Sequence, residues 1–297
     1  MADRKFRFGV VAGQANDLDQ LATFVRQVED AGYDVLLSPD TMNLAAPFTT
    51  LTAVATLSRT LRVGTFVLAA PLYRPAAIAW QAASLDRLSG GRFELGLGAG
   101  RPDAAGEAAR LGVPWGSSGQ RVEQVGETLA GVKATFGEAF AAADRSPNQP
   151  PEHGFLRPAQ RPHPPVMIAA GGPKLLGLAA REVDIISFAL GGRAGEAELA
   201  DRVRLVRDAA GDRFDDLELS LNTFAVGETQ LPPWITRFGV DPALARDNQV
   251  LSVLNGDTDT VVDVLLRRRD EFGISYVCVN SFAMAAFAPV IERLAGR

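Results

Sequence analysis

A (β/α)8 barrel is the fold class that this 297-residue sequence predicts, and three observations predict it. Short apolar runs of β type recur along the chain, several nearly continuous in hydrophobic residues, as strands covered on both faces must be. Stretches with helical spacing of apolar residues fill the gaps between them. Together they make eight strand–helix units spread over roughly 250 residues plus insertions, the number and length such a barrel needs. A doubly wound open sheet shares this alternation and is the other architecture it allows.

The strands are expected at 6–12 (FRFGVVA), 34–38 (DVLLS), 61–68 (LRVGTFVL) and 92–99 (RFELGLGA), then at 165–170 (PVMIAA), 184–189 (DIISFA), 217–226 (LELSLNTFAV) and 275–282 (SYVCVNSF). Leu21, Phe24, Val25 and Val28 form an i, i+3, i+4, i+7 stripe that opens at Asp17 with Gln20 three residues on, a helix start resembling a capping box. Ile78, Ala82 and Leu85 repeat the stripe after the third strand, and Val122, Val125, Leu129, Val132 and Phe136 after the fourth. Val261 and Leu265 do so before the eighth, from a start near Asp257 and Thr258. No linker divides the chain, so residues 1–297 are expected to form a single domain, with irregular insertions near 138–164 and 227–255.

A net charge of −5 and a pI near 5.2 argue against a nucleic-acid partner, which selects a basic face. The basic run Arg267-Arg268-Arg269 falls late in a helical pattern and reads as a solvated helix end. The single cysteine, Cys278, excludes a disulfide framework within the chain and reads as a small core residue. No metal-ligand spacing is present. No apolar run approaches the length of a membrane span, and MADRKFRFGV lacks a signal-peptide core, so a soluble, cytoplasmic protein is expected.

Two glycine motifs carry the chemistry. In GRFELGLGAGRP, Gly96, Gly98 and Gly100 alternate, but Arg101 stands where a dinucleotide fingerprint needs its third glycine. Period two is strand geometry, so the row reads as a face without side chains. That face is either a wall for something flat or a packing notch. In the second motif an apolar strand runs into Ala170-Gly171-Gly172-Pro173 and a helix opens, which makes either a phosphate cradle or a plain tight turn. Arg101 could meet an anion, or pair with Asp103 or Glu107. Trp115 and Trp234 fall in loops, as lids over a ring or caps on the rim, while His153 and His163 read as solvated loop residues. Arg121 and Glu127 read as structural.

The succession GTFVLAAPLYRPAAIAWQAASLDRLSGGRFELGLGAG resembles the bacterial luciferase-like family of flavin- and deazaflavin-dependent oxidoreductases. EDAGYDVLLSPD, GQRVEQVGETL and AAGGPKLLGLAAREVD extend the likeness over nearly the whole chain, and it is closest in kind to members that use coenzyme F420. The resemblance implies a non-prolyl cis peptide at Phe66–Val67, backing the ring of the cofactor, with Gly98, Ala99 and Gly100 bordering the same ring. It implies a phosphate held by Ala170, Gly171, Gly172 and Pro173. It places Asp40 in the central site as the catalytic candidate, and it implies a homodimer; Thr41, Arg101 and Trp115 are the candidates for substrate contact. Two departures matter. Many relatives carry Asp-His after the second strand, where this chain reads Pro39-Asp40-Thr41. Sugar-phosphate dehydrogenases of the family place a glutamate where Arg101 stands.

The resulting expectation is hydride transfer between coenzyme F420 and a small organic substrate, such as one with an activated C=C or C=N bond. One alternative is an FMN-dependent monooxygenase that uses O2 and a separate cofactor reductase. Another, of a different class, is a non-catalytic flavin- or deazaflavin-binding protein.

Overall fold

The structure is a computed structural model that describes residues 4–13, 15, 17–145, 154–227, 229, 231–233, 235, 239–240 and 250–297. In chain order, β1 (Arg7–Val11) leads to α1 (Leu18–Asp30), β2 (Val35–Ser38), α2 (Pro47–Leu57), β3 (Arg62–Thr65) and β4 (Leu68–Ala69). Then come α3 (Pro75–Leu88), β5 (Phe93–Gly98), α4 (Ala105–Leu111), α5 (Ser118–Arg145), β6 (Val166–Ala170), α6 (Pro173–Glu182) and β7 (Ile185–Phe188). The chain closes with α7 (Glu196–Ala210), β8 (Glu218–Thr223), β9 (Ala225–Val226), β10 (Val253–Leu254), α8 (Thr258–Phe272), β11 (Ile274–Asn280) and α9 (Met284–Leu294). The chain resolves into two compact units, Met1–Leu37 with Ile168–Arg297, and Ser38–Met167.

In the first unit the sheet runs β2, β1, β11, β8, β7, β6. Its paired strands are parallel, with Gly9 opposite both Val35 and Cys278, and Cys278 opposite Asn222. All of β11 is buried, as its unbroken apolar run requires. Tyr276 is fully buried beside Gly9, where a Cβ would stand 3.0 Å from its ring. The Arg7 guanidinium lies 4.3 Å above the Tyr276 ring and pairs with Glu218 at 2.9 Å. Helix α1 opens where the sequence places it: the Asp17 side chain accepts the Gln20 N–H at 2.8 Å, and Leu21, Val25 and Val28 are buried. Asp257 caps α8 in the same way through the Thr260 N–H. Cys278 is a buried core residue.

In the second unit β5 pairs in parallel with both β3 and β4, and it is buried along its whole length. Ile78, Ala82 and Leu85 of α3 and Val125, Leu129, Val132 and Phe136 of α5 are buried, as the spacing predicts, while Val122 at the start of the α5 stripe is only half-buried. Asp86, fully buried, accepts the N–H groups of Ala159 and Gln160 and the Gln160 side-chain amide at 2.7–2.8 Å. Three bonds satisfy the carboxylate and pin the loop before β6.

Four expectations need correction. The third strand is broken into β3 and β4 around Phe66–Val67. The seventh is broken at Phe224 and its second piece, β9, pairs with β10, a strand that the sequence pattern did not reveal because it has only two residues. The segment 138–164 is helical as far as Arg145. The run Arg267-Arg268-Arg269 is not uniformly solvated: Arg268 is 3% exposed and bonds Glu196 at 3.0 Å, and Arg269 lies over the Phe6 ring. An arginine stem buries its methylenes readily once its head has a partner. Among the described residues, no helix is long and apolar enough to cross a membrane.

Candidate active site

Asp40 stands two residues past the end of β2, half-buried, with both carboxylate oxygens engaged by its own unit. Oδ2 accepts the Ala69 N–H at 2.9 Å and Oδ1 accepts the Tyr73 hydroxyl at 2.9 Å. Burial raises the Asp40 carboxyl above its ordinary range and the negative charge of Glu107 adds to this; the two hydrogen bonds and the Arg101 guanidinium oppose it. Burial, and then the Asp40 carboxylate, raise the Tyr73 phenol far above its ordinary value, so it stays protonated and donates.

Arg101, the residue just past the glycine strand, donates to the Asp40 carbonyl oxygen and to Glu107 Oε1, each at 2.8 Å, and to Asp103 at 3.2 Å. The ion pairs that the sequence left as one option for Arg101 are therefore present with both acids. Thr41 donates to the same Glu107 oxygen at 3.2 Å and also reaches Asn43. Asp40, Thr41 and Arg101 thus form one network, completed by Tyr73 and Glu107.

The alternating glycines divide into different roles. Gly96 is buried, and a Cβ there would collide with the Thr65 carbonyl oxygen. The Thr65 hydroxyl accepts the Gly96 N–H at 2.8 Å and donates to its carbonyl at 2.9 Å, so this glycine is a notch for the neighbouring strand. Gly98 ends β5. Gly100 lies beyond the strand at φ 78°, so the single face of three glycines expected from period two holds only for Gly96 and Gly98. A Cβ at Gly100 would collide with the six-membered ring of Trp115. Arg121 lies over that indole at 4.7 Å and donates to the Ala99 carbonyl at 3.1 Å and the Gly116 carbonyl at 3.0 Å. Trp115 also packs on the buried cluster Ala69, Leu72 and Ala108. The Phe66–Val67 peptide is cis, between β3 and β4, and the Phe66 N–H donates to the Ser38 carbonyl at 2.8 Å.

Ala170, Gly171, Gly172 and Pro173 belong to the other unit and are described on their own. Ala170 ends β6, buried, and its carbonyl accepts the Ala189 N–H at 2.9 Å. Gly171 is tight: a Cβ would collide with the Ala189 carbonyl oxygen. Gly172 is the reverse, with open space where its Cβ would stand. It is the N-cap of the ten-residue α6, without a side-chain capping bond, and Pro173 occupies the first turn.

Sequence reasoning missed Tyr73 and gave Glu107 only as a partner for Arg101. Tyr73 is 33 residues from Asp40, and no periodicity links them; the one signal was its place in PLYRP, directly after the broken strand. His163 contacts the Pro164 carbonyl at 2.9 Å, while His153 and Trp234 lie outside the described residues. Among the described residues, no group of three His, Cys, Asp or Glu could hold a metal ion.

The chain is similar to known proteins in sequence and in fold. The oxygenase component of the flavin-dependent trigonelline monooxygenase of Acinetobacter baylyi is 28% identical over 127 residues, 43% of this chain and 34% of that protein. The 5,10-methylenetetrahydromethanopterin reductase of Archaeoglobus fulgidus is 30% identical over 166 residues, 54% of this chain and 46% of that one. The matches thus span less than half the length of these curated relatives. The coenzyme F420-dependent tetrahydromethanopterin reductase of Methanopyrus kandleri aligns in structure with a TM-score of 0.72, over 98% of this chain and 100% of that chain, at 16% identity. The fold class is accordingly the (β/α)8 barrel, and the open sheet is set aside. Residues 5–230 match the model of the luciferase-like monooxygenases, and the chain belongs to that family of oxidoreductases.

Proposed function

We propose that the chain is an oxidoreductase that moves a hydride between coenzyme F420 and a small organic substrate, such as one with an activated C=C or C=N bond. The observation that carries this reading is the full engagement of Asp40, whose two oxygens are taken by Ala69 and Tyr73. Arg101 is tied just as firmly to Glu107 and to the Asp40 carbonyl. Neither side chain is left as a ready acid, base or anion clamp. Hydride transfer with a small proton demand suits such a strand end better than acid–base chemistry does.

The residues fit a phosphate-bearing ring cofactor on observations of their own. Gly172 leaves open space at the uncapped start of α6, where backbone N–H groups and the helix dipole favour an anion. Taken unit by unit, Ala170, Gly171, Gly172 and Pro173 would suit a phosphate, and Phe66, Val67, Gly98, Ala99 and Gly100 would suit the border of a ring. When bound, a deazaflavin supplies the carbon that carries the hydride. The chain's part is to fix the wall: Asp40 holds the Ala69 N–H and the Tyr73 hydroxyl, and Arg121 holds the Ala99 carbonyl.

The likeness to a flavin-dependent oxygenase component favours a second reading, an FMN-dependent monooxygenase supplied by a separate reductase. Direct binding of coenzyme F420 and of FMN to the purified protein tests the two. Tighter binding of F420, followed by its oxidation or reduction on a substrate panel, is the expected result. The reverse preference moves the assignment to oxygen chemistry. Tight binding with no turnover on any substrate makes it a carrier, and no binding of either overturns both readings.

A further inference from the structure

We propose that Trp115 is a specificity-determining residue of this site: its indole, wedged against Gly100, sets which planar ring the end of β5 admits. The inference rests on the cofactor reading above, in which Gly98, Ala99 and Gly100 border the ring.

Four features converge on this indole. Gly100 has φ 78° and no Cβ, and any side chain there would collide with the ring at Cη2. Arg121 covers the indole at 4.7 Å, and its other nitrogens fix the carbonyls on either side, Ala99 at the strand end and Gly116 beside Trp115 itself. Ala69, Leu72 and Ala108 supply an apolar seat, and Ala69 is the residue whose N–H Asp40 accepts. The ring is nonetheless only half-buried.

A tryptophan needed only for packing would be expected to bury most of its large apolar surface. Here a cation, a glycine and two carbonyl anchors hold a partly exposed indole still, at the strand end that borders the proposed cofactor ring. An aromatic surface fixed in advance loses little freedom when a ring docks against it. A flexible side chain would give up that advantage and much of its discrimination between rings.

The test uses the full chain with Trp80→Phe and Trp234→Phe, in which Trp115 is the remaining tryptophan. Coenzyme F420 and FMN are titrated, and binding is followed both by the ligand's own absorbance and by Trp115 emission. Emission should fall saturably with the same midpoint as the absorbance change. In the otherwise native chain, Trp115→Ala should change the ratio of F420 to FMN affinity about tenfold, the scale of one aromatic contact made to one ring and not to the other. Trp115→Phe, which keeps an apolar ring on the seat, should fall between the two. Gly100→Ala should act like Trp115→Ala, and the double variant should be no worse than Trp115→Ala alone. Binding seen by absorbance, with the affinity ratio unchanged in Trp115→Ala and Trp115→Phe, overturns the proposal and leaves the cofactor reading standing. Failure of the native chain to bind either ligand overturns both.

Discussion

Tyr73 donates its hydroxyl to Asp40 at 2.9 Å, and this bond ties the strand end after β2 to the turn after β4. Removing it in Tyr73→Phe leaves one oxygen of a half-buried carboxylate short of a donor. A loss of about 1–3 kcal/mol in unfolding free energy is expected, measured by denaturant titration. A variant as stable as the parent would mean that water replaces the phenol without cost.

The raised pKa of Asp40 gives a pH signature. Burial penalises the charged form, so this group's contribution to stability declines as pH rises from the ordinary carboxylate value through the raised one, and is flat above it. Asp40→Asn lacks the titration. The stability advantage of the parent over Asp40→Asn should therefore narrow across that window as pH rises. Paired melting curves from about pH 4 to about pH 7 check this; a gap that widens with pH would reverse the sign.

A Cβ on Gly96 would stand well inside van der Waals contact with the Thr65 carbonyl oxygen. Gly96→Ala forces a methyl onto the Thr65 carbonyl and breaks the paired hydroxyl bonds. A loss of about 3 kcal/mol, or failure to accumulate as folded protein, is expected. Thermal denaturation of the purified variant is the measurement, and an unchanged midpoint would show that the two strands can separate freely.

The neighbouring glycines of the 170–173 turn should behave oppositely. Gly171→Ala meets the Ala189 carbonyl and should destabilise, whereas Gly172→Ala meets open space and should fold normally. If the turn holds a phosphate, Gly172→Ala crowds the anion and should weaken cofactor binding about tenfold at near-native stability. Calorimetry on that variant separates the phosphate role from a plain turn, since a turn predicts no change in affinity.

Glu196 anchors Arg267 at 2.7 Å and the buried Arg268 at 3.0 Å. Those hydrogen bonds, Arg267's first, hold its carboxyl below the ordinary value. Its contribution is present above the unfolded value and is lost as pH falls through the folded one. Glu196→Ala removes the counter-charge of the buried Arg268, leaving it the Leu251 carbonyl at 3.4 Å, and should cost about 3 kcal/mol near neutrality. The deficit should shrink in acid, where the parent loses the same pairs.

Local signals were enough for the alternation of strands and helices. The Asp17 and Asp257 caps and the buried stripes of α1, α3 and α5 obey spacings of three and four residues, which a sequence displays directly. Gly171 and Gly172 were visible as a turn, and Asp40 and Arg101 as polar residues at strand ends, for the same reason. Only the tertiary structure decided what those residues do to each other. Tyr73 reaches Asp40 across 33 residues, and Gly100 is shaped by Trp115, contacts between segments that lie outside the regular elements and far apart in the chain. It also separated two glycines of one row, Gly96 facing a carbonyl and Gly100 facing an indole, which identical letters in a sequence could not distinguish. Periodicity is a property of one segment, whereas a contact is a property of two, and its partner is chosen by the fold.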